Sequence, residues 1–470
     1  MARAVEHIQG GFLKMRKLRL MSLVLTMVMT SLLAACGGNE APKNSPPANS
    51  GTSVNKEAEA PEVKEEPVTI KFINWESPAV YQPAIDAFQD KYPHITVEYV
   101  PLVENDSNET LKKLDIMYAS GDDFDVFSVN SATNFSQRAN DGMFEPLDSY
   151  IAAEGLDYAK EYKAEQMKID GNRYSLPGKF GPWFILLNKD HLDAAGLSVP
   201  ASWTWDEFQD YARQLTEGEG PTKRYGAHFH TWKDYFLLRL YSASSNQGIM
   251  NDEGTQLNTD NPLMKASLQL RYDMEYTDKS ATPYQDVITQ KIPYRDQYFQ
   301  EKASMMPTGP WMVAEAGGTE NIPATFVSAF APWPTNAAGD EPYSFGGADS
   351  LVISAKSKHK DAAYQFIRFL STEGMSLTKQ LSAWSQADIE KEVDSIIAST
   401  QTPDKIDKAS LMATLSVTKL PNPAHTVSYS GDIESSFIAE VEKYMLDYTD
   451  LDTTITNAQA ALQKIVDANK

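Results

Sequence analysis

Val68, Ile70 and Phe72 alternate with Thr69 and Lys71, a period of two that predicts a β-strand. Ala84, Ile85 and Phe88 follow at helical spacing, and Tyr92-Pro93 closes that helix. Alternation returns at Ile95, Val97 and Tyr99. Leu111, Leu114, Ile116 and Met117 predict a second helix ended by Ser120-Gly121, and residues 125–129 form a short apolar strand. Strand, helix, strand, helix, strand predicts an α/β layer with largely parallel pairing. In open sheets of that kind, ligands sit beyond the carboxyl ends of the strands. Two loops qualify, Trp75-Glu76-Ser77 and Asn130-Ser131. The first offers an aromatic face and a carboxylate, the second an amide and a hydroxyl. Such groups suit a neutral, hydroxyl-rich molecule; a core tryptophan beside ordinary polar loop residues fits the same letters.

The pattern upstream is different. Lys14, Arg16, Lys17 and Arg19 precede an apolar run over residues 20–35, broken only by Ser22, Thr26, Thr30 and Ser31. The run is shorter than the roughly 20 residues that span a bilayer, and it ends in Leu32-Leu33-Ala34-Ala35-Cys36-Gly37-Gly38. A basic region, an apolar region and small residues before a cut describe a secretory signal; the competing reading is an uncleaved anchor helix. Met15 is a second candidate start. The ending resembles the bacterial lipobox, which implies that residues 1–35 are removed and that Cys36 is lipidated and becomes the first residue of the mature chain. Residues 36–66 are rich in Pro, Ser, Asn, Lys and Glu, with Val54 and Val63 the only large apolar positions. That composition predicts a disordered linker. Its 31 residues would span roughly 30 Å as a flexible leash.

Charge and cysteine narrow the function. The chain carries −22. Residues 1–35 hold Arg3, Lys14, Arg16, Lys17 and Arg19 against Glu6, so the part from Cys36 onward stands at −26. An acidic surface argues against nucleic-acid binding, which needs a basic face. It also repels anionic lipid, so a covalent anchor would have to hold the chain to a membrane. Cys36 is the only cysteine among 470 residues. No disulfide can form within the chain, and no thiol is left to act as nucleophile or metal ligand. About 400 residues after the linker make two domains of ordinary size.

A family resemblance organises the rest. Ile169-Asp170-Gly171-Asn172-Arg173-Tyr174-Ser175-Leu176-Pro177 is followed by Trp183-Phe184-Ile185-Leu186-Leu187-Asn188-Lys189-Asp190, then Ala195-Gly196 and Trp203-Thr204-Trp205-Asp206-Glu207-Phe208. Residues 299–311 (FQEKASMMPTGPW), Gly346-Gly347 before Leu351-Val352-Ile353, and Pro421-Asn422-Pro423 before a helical tail continue in the same order. Together they resemble the extracellular solute-binding proteins of carbohydrate ABC importers, the group that includes maltose-binding protein. Glu301 stands where that pattern has glycine. Thr204 and Glu207 also predict a capping box, with Trp203 stapled on Phe208. That part of the motif is structural.

The resemblance implies an α/β, two-lobed, periplasmic-binding-protein-like fold with a hinge and an interlobe cleft. Residues 67–177 and 333–375 would form lobe 1; residues 178–332 and 376–470 would form lobe 2. The chain would cross near 176–183, return near 330–334 and cross again near 372–384. It implies no enzyme and no cofactor, but a sugar or oligosaccharide ligand, ABC importer permease subunits as partners, and a monomer tethered by lipid outside the cell membrane, as in a Gram-positive cell.

Sugar rings pack their C–H faces on aromatic rings and offer hydroxyls to amides and carboxylates. By family position, Trp75, Trp183, Trp232, Trp311 and Trp384 approach the cleft, whereas Trp203 and Trp205 do not; Trp333 stays open. Glu76, Asn130, Ser131, Gly181, His230 and Asp349 complete the expected ligand set. Lys179 is the candidate partner for an acidic sugar, or a solvent-facing lysine. His228 and His230 share a strand face, but two imidazoles without a third ligand make a poor metal site. A glycosidase would need two carboxylates about 5–10 Å apart, for which Glu76 and Asp349 could be nominated. No nucleophile elbow, zinc-protease motif, phosphate loop or dinucleotide fingerprint occurs. A surface adhesin, or a non-sugar cargo on the same fold, remains an alternative.

Overall fold

The alternation at Val68 becomes strand β1 (Val68–Asn74), parallel to both β2 (Ile95–Pro101) and β3 (Val126–Val129). The computed structural model describes residues 66–318 and 323–469; the predicted leader, the lipidation at Cys36 and the linker up to residue 65 lie outside them. A small hairpin, β4 (Lys168–Ile169) and β5 (Asn172–Arg173), precedes β6 (Ser175–Phe180). The remaining strands are β7 (Phe184–Asn188), β8 (Tyr225–Ala227), β9 (Ala303–Thr308), β10 (Ser328–Ala331) and β11 (Ala348–Ile353).

Two sheets result, one of order β2-β1-β3-β11-β6 and one of order β10-β7-β9-β8. The first departs from the parallel expectation in one strand: β11 runs antiparallel to both β3 and β6. Strands β1, β3 and β6 all run toward the cleft, whereas β11 starts at the cleft because the chain re-enters the lobe there. The second sheet is mixed, with β8 and β9 parallel and the other pairs antiparallel.

Helices cover both faces of each sheet, so adjacent strand residues are buried on opposite sides. In lobe 1, Ile70, Phe72, Leu176, Leu351 and Ile353 pack with the helices Pro78–Lys91 and Lys360–Phe369. Ile73, Phe127, Val129 and Val352 face Leu111, Leu114 and Phe135. In lobe 2, Ile185, Leu187, Met305 and Ala329 join Phe208, Leu268, Phe437 and Leu462, while Phe184, Leu186, Met306 and Phe330 join Val313, Val393 and Leu411. Leu186 and Leu187 are fully buried on opposite faces, each contributing about 1.5–3 kcal/mol.

Local signals set the ends of elements. Asp106 caps the helix Ser107–Ser120 by accepting from Glu109 N, and Gly121 ends it at φ +86°, a left-handed turn that glycine adopts without Cβ strain. Ile116, expected on the buried face, is 70% exposed; Leu111 and Leu114 are buried there beside Thr110, with Met117 packed against the same cluster. The helix Trp205–Leu215 starts on the Thr204/Glu207 capping box, and the rings of Trp203 and Phe208 stand 5.4 Å apart.

Three chain crossings join the lobes. The first is Gly181-Pro182, between β6 and β7. The second lies later than 330–334, and lobe 1 does not resume at residue 333. Trp333 is 1% exposed within the lobe 2 core and donates Nε1 to Leu238 O. Thr335 N then donates to Trp203 O, and Thr335 O accepts from Trp205 N. Pro332 and Pro334 flank a tryptophan seated in the core, so they stiffen an edge of lobe 2. The chain leaves only at residues 344–347, where Trp183 N donates to Phe345 O (2.8 Å) and Gly181 N to Gly347 O (2.7 Å). The third passage follows the helix Lys360–Phe369. Phe180 N donates to Leu381 O and Lys163 N to Ala383 O before the helix Ile389–Ala398 begins in lobe 2.

The lobes also meet away from these crossings. Ser136, on the lobe 1 helix Ala132–Asn140, donates to Thr426 O (2.9 Å) and Val427 O (3.3 Å), in the segment leading to the helix Ser430–Met445. Among the described residues no helix is long and apolar enough to cross a membrane.

Candidate functional site

The lobe 1 wall is built where β1 ends. Asn74 Nδ2 donates to Ser128 Oγ on β3, and its Oδ1 accepts from the backbone N–H groups of Trp75 (2.6 Å) and Glu76 (2.9 Å). One buried amide thus turns the chain and aims Glu76 into the cleft. Lys179, at the end of β6, meets Glu76 at 2.9 Å and Asp349, at the start of β11, at 3.5 Å. Gln380 Nε2 donates to the same Glu76 oxygen at 3.3 Å. Residues near the first and third crossings therefore converge on one carboxylate, and Asp349, near the second, joins them through Lys179.

Burial alone would push the Glu76 carboxyl up, but Lys179 and the bond from Gln380 hold it below its ordinary value. Burial, then repulsion from Glu76, raises Asp349, which has the longer contact to the lysine. Burial disfavours the Lys179 ammonium, yet the two carboxylates outweigh it and raise its pKa. The cluster is an ion-paired unit rather than two free carboxylates.

The lobe 2 wall is aromatic. Strand β9 ends at Thr308, and Gly309-Pro310 turns into a short helix that starts at Trp311. A methyl at residue 309 would stand 2.2 Å from the Trp311 ring, so only glycine lets the indole lie there. Trp183 is the hub, edge-on to Trp311 (5.4 Å), Phe345 (5.3 Å), Trp333 (6.2 Å) and Trp232 (6.4 Å). Tyr294 packs on Trp232 and on His230. Arg295 makes a two-pronged pair with Glu315 (2.7 and 2.8 Å), and its charge also favours ionised Glu76.

Burial depresses His230 to about 4, with Arg271 adding to the effect, so the ring is neutral at neutral pH. Its Nδ1 accepts from Trp232 N at 3.2 Å, which leaves the proton on Nε2 as a donor. His228 is fully buried, depressed to about 3, and neither ring nitrogen has a partner. Among the described residues no group of three His, Cys, Asp or Glu side chains could hold a metal.

The expected site residues divide into groups. Glu76, Gly181 and Asp349 meet at the hinge, while Trp183, His230, Trp232 and Trp311 gather on the opposite wall. Trp232 and Trp311 are half-buried, but Trp75 and Trp183 are each only 6% exposed, so they back the walls instead of paving them. Asn130 and Ser131 remain on their own loop. Asn130 bonds Ser107 and Asn134, and Ser131 caps the helix Ala132–Asn140 through Asn134 N. Among the described residues neither bonds to the Glu76 cluster. Trp384 donates to Glu161 at 3.1 Å, and among the described residues it does not bond to the Glu76 cluster. Asn74, Tyr294, Arg295, Phe345 and Gln380 were not anticipated. Asn74 closes an otherwise apolar strand, a polar break that could have marked the turn; the others come together only through the fold.

Two α/β lobes, three crossings and a cleft with an aromatic wall and a charged wall define a hinged ligand-binding protein. The sequence profile of the bacterial extracellular solute-binding proteins matches residues 43–376, and the chain belongs to that family. It is 26% identical to the multiple sugar-binding protein of Streptococcus mutans over 331 residues, 67% of this chain and 74% of that one. The maltotriose-binding protein of Pyrococcus abyssi is 23% identical over 64% of this chain and 61% of its own length. Among solved structures, an ABC substrate-binding protein from Listeria monocytogenes in complex with cycloalternan superposes with a TM-score of 0.71 at 21% identity, covering 85% of this chain and 99% of that one. A sugar transporter from Rhizobium etli in an open conformation gives 0.67 at 24%, over 84% and 99%. At such identities the structures speak for the fold alone.

Proposed function

We propose that the chain is the sugar-capturing component of an ABC importer, moored by a lipid on Cys36 to the outer face of the cell membrane, as a monomer in a Gram-positive cell, beside its permease subunits. The observation that carries the sugar reading is the pairing of half-buried Trp232 and Trp311 with the polar Glu76–Lys179–Asp349 cluster across one cleft. Flat apolar faces on one side and fixed hydrogen-bonding groups on the other match a sugar ring. Relatives named for multiple sugars and maltotriose support it. In this reading Trp232, Trp311 and Phe345 take ring faces, Glu76 and Asp349 accept from hydroxyls, and His230 Nε2 donates. Trp75, Trp183 and Gly181 shape the walls, and Asn130 and Ser131 reach only a ligand that extends along lobe 1.

A ligand touching both walls favours the closed arrangement by the difference in its affinity for the two states. Crossings of a few residues absorb the motion. The test is thermal denaturation of the purified chain with a panel of oligosaccharides, together with chromatography of the sugars afterwards. Binding raises the melting temperature, by an amount that grows with ligand concentration, and leaves the sugar intact. Trp311→Ala should lose most of that shift while its ligand-free melting stays cooperative. Cleaved sugar would point to a glycosidase, and no shift with any sugar would sink the carbohydrate reading.

A further inference from the structure

The cations around the cleft are already spoken for. Lys179 sits between Glu76 (2.9 Å) and Asp349 (3.5 Å). Arg295 is gripped by Glu315 through two nitrogens. Lys233, next in sequence to Trp232, sits between Asp234 (3.3 Å) and Glu434 (3.4 Å). Asp234 is held in turn by Tyr241 OH at 2.7 Å. Among these described residues, two lysines with two carboxylates each and an arginine with one set five carboxylates beside three cations. The side chains of the Lys179 cluster are 15–20% exposed, so bulk water screens them little.

We infer that this cleft takes neutral sugars and excludes sugars bearing a carboxylate, with Glu76 and Asp349 as the residues that set the exclusion by occupying Lys179. The inference rests on the sugar reading above and narrows its substrate class. A uronate entering the cleft has two routes, both unfavourable. It could displace Glu76 or Asp349 from Lys179, leaving a carboxylate of the chain buried without its partner. It could otherwise keep those pairs intact and lie, stripped of water, beside an excess of like charge. A hydroxyl meets neither obstacle: it donates to the lone pairs that Glu76 and Asp349 keep after pairing with the lysine. Protonation of Asp349 does not open the site, because Glu76 still holds Lys179 at the shorter distance.

The test uses matched pairs that differ in one carboxylate: xylo-oligosaccharides without and with a glucuronate branch, and galacto- against galacturono-oligosaccharides. Titration calorimetry on the full chain should find a neutral member that binds and an acidic partner weaker by at least ~100-fold. Glu76→Gln and Asp349→Asn each release a contact on Lys179. Each should move the acidic-to-neutral affinity ratio toward the acid by about tenfold or more, even where affinity for the neutral sugar falls. An acidic member that binds the unaltered chain as tightly as its neutral partner overturns the inference, as does an unchanged ratio in both variants. Should neither variant fold, the ratio measured on the unaltered chain decides alone. Absence of binding by every sugar in the panel overturns the carbohydrate reading itself and this inference with it.

Discussion

Gly346→Ala should damage the protein where the same change one residue later does not. The first and second crossings touch backbone to backbone: Gly181 N donates to Gly347 O at 2.7 Å. Gly346 has φ +131°, and a methyl there would stand 2.2 Å from Gly181 O and 3.0 Å from Pro182 Cα. An alanine held in that backbone region costs about 1–3 kcal/mol. The two crossings must also part by roughly 1 Å to restore ordinary contact, which sacrifices the Gly181–Gly347 bond, about 1 kcal/mol. The expected loss is about 2–4 kcal/mol. For a folded body of roughly 400 residues, with unfolding entropy near 2 cal/mol/K per residue, that lowers the melting temperature by about 2–5 °C. Gly347→Ala is the control: its methyl meets nothing within 4 Å and its φ is not strained, so it should stay within about 0.5 kcal/mol. Calorimetry on the three chains reads the result. Gly346→Ala melting within about 1 °C of the parent would refute the reasoning, and so would an equal loss for Gly347→Ala.

Two further outcomes follow from the same contacts. His228 and His230 are depressed to about 3 and about 4, against about 6.5 in an unfolded chain. The unfolded state therefore binds more protons between those values, so their stabilisation is complete above pH 6.5 and is lost as pH falls toward 3. His228→Phe should flatten the fall of melting temperature across that window, and an unaltered slope would show that burial of His228 is not its source. Ser136→Ala removes the bonds to Thr426 O and Val427 O, worth about 1 kcal/mol. If that junction belongs to the closed arrangement, ligand affinity should fall about fivefold with unchanged circular dichroism; equal affinity by titration calorimetry would remove it from closure.

Much of the architecture was legible because local physics wrote it. Alternation at Val68–Asn74 and the Thr204/Glu207 box needed only neighbours in sequence, and both elements form where the pattern puts them. The site was harder. Tryptophans were the right residue type, but Trp75 and Trp183 are buried while Trp232 and Trp311 are half-buried, and nothing adjacent in sequence distinguishes these pairs. Asn130 and Ser131 occupy the expected loop, yet their hydrogen bonds are spent on Ser107 and on a helix cap. Residues 330–334 read as a crossing, and instead Pro332 and Pro334 flank a core tryptophan.

The sequence by itself determined the elements, their order and the family, because periodicity and caps act over a few residues and the motifs recur in fixed succession. Only the tertiary structure decided that Glu76, Lys179, Asp349 and Gln380, separated by up to 304 positions, share one ion-paired cluster. The separate crossings bring those side chains together, and the charge a ligand meets depends on which carboxylate already holds the lysine.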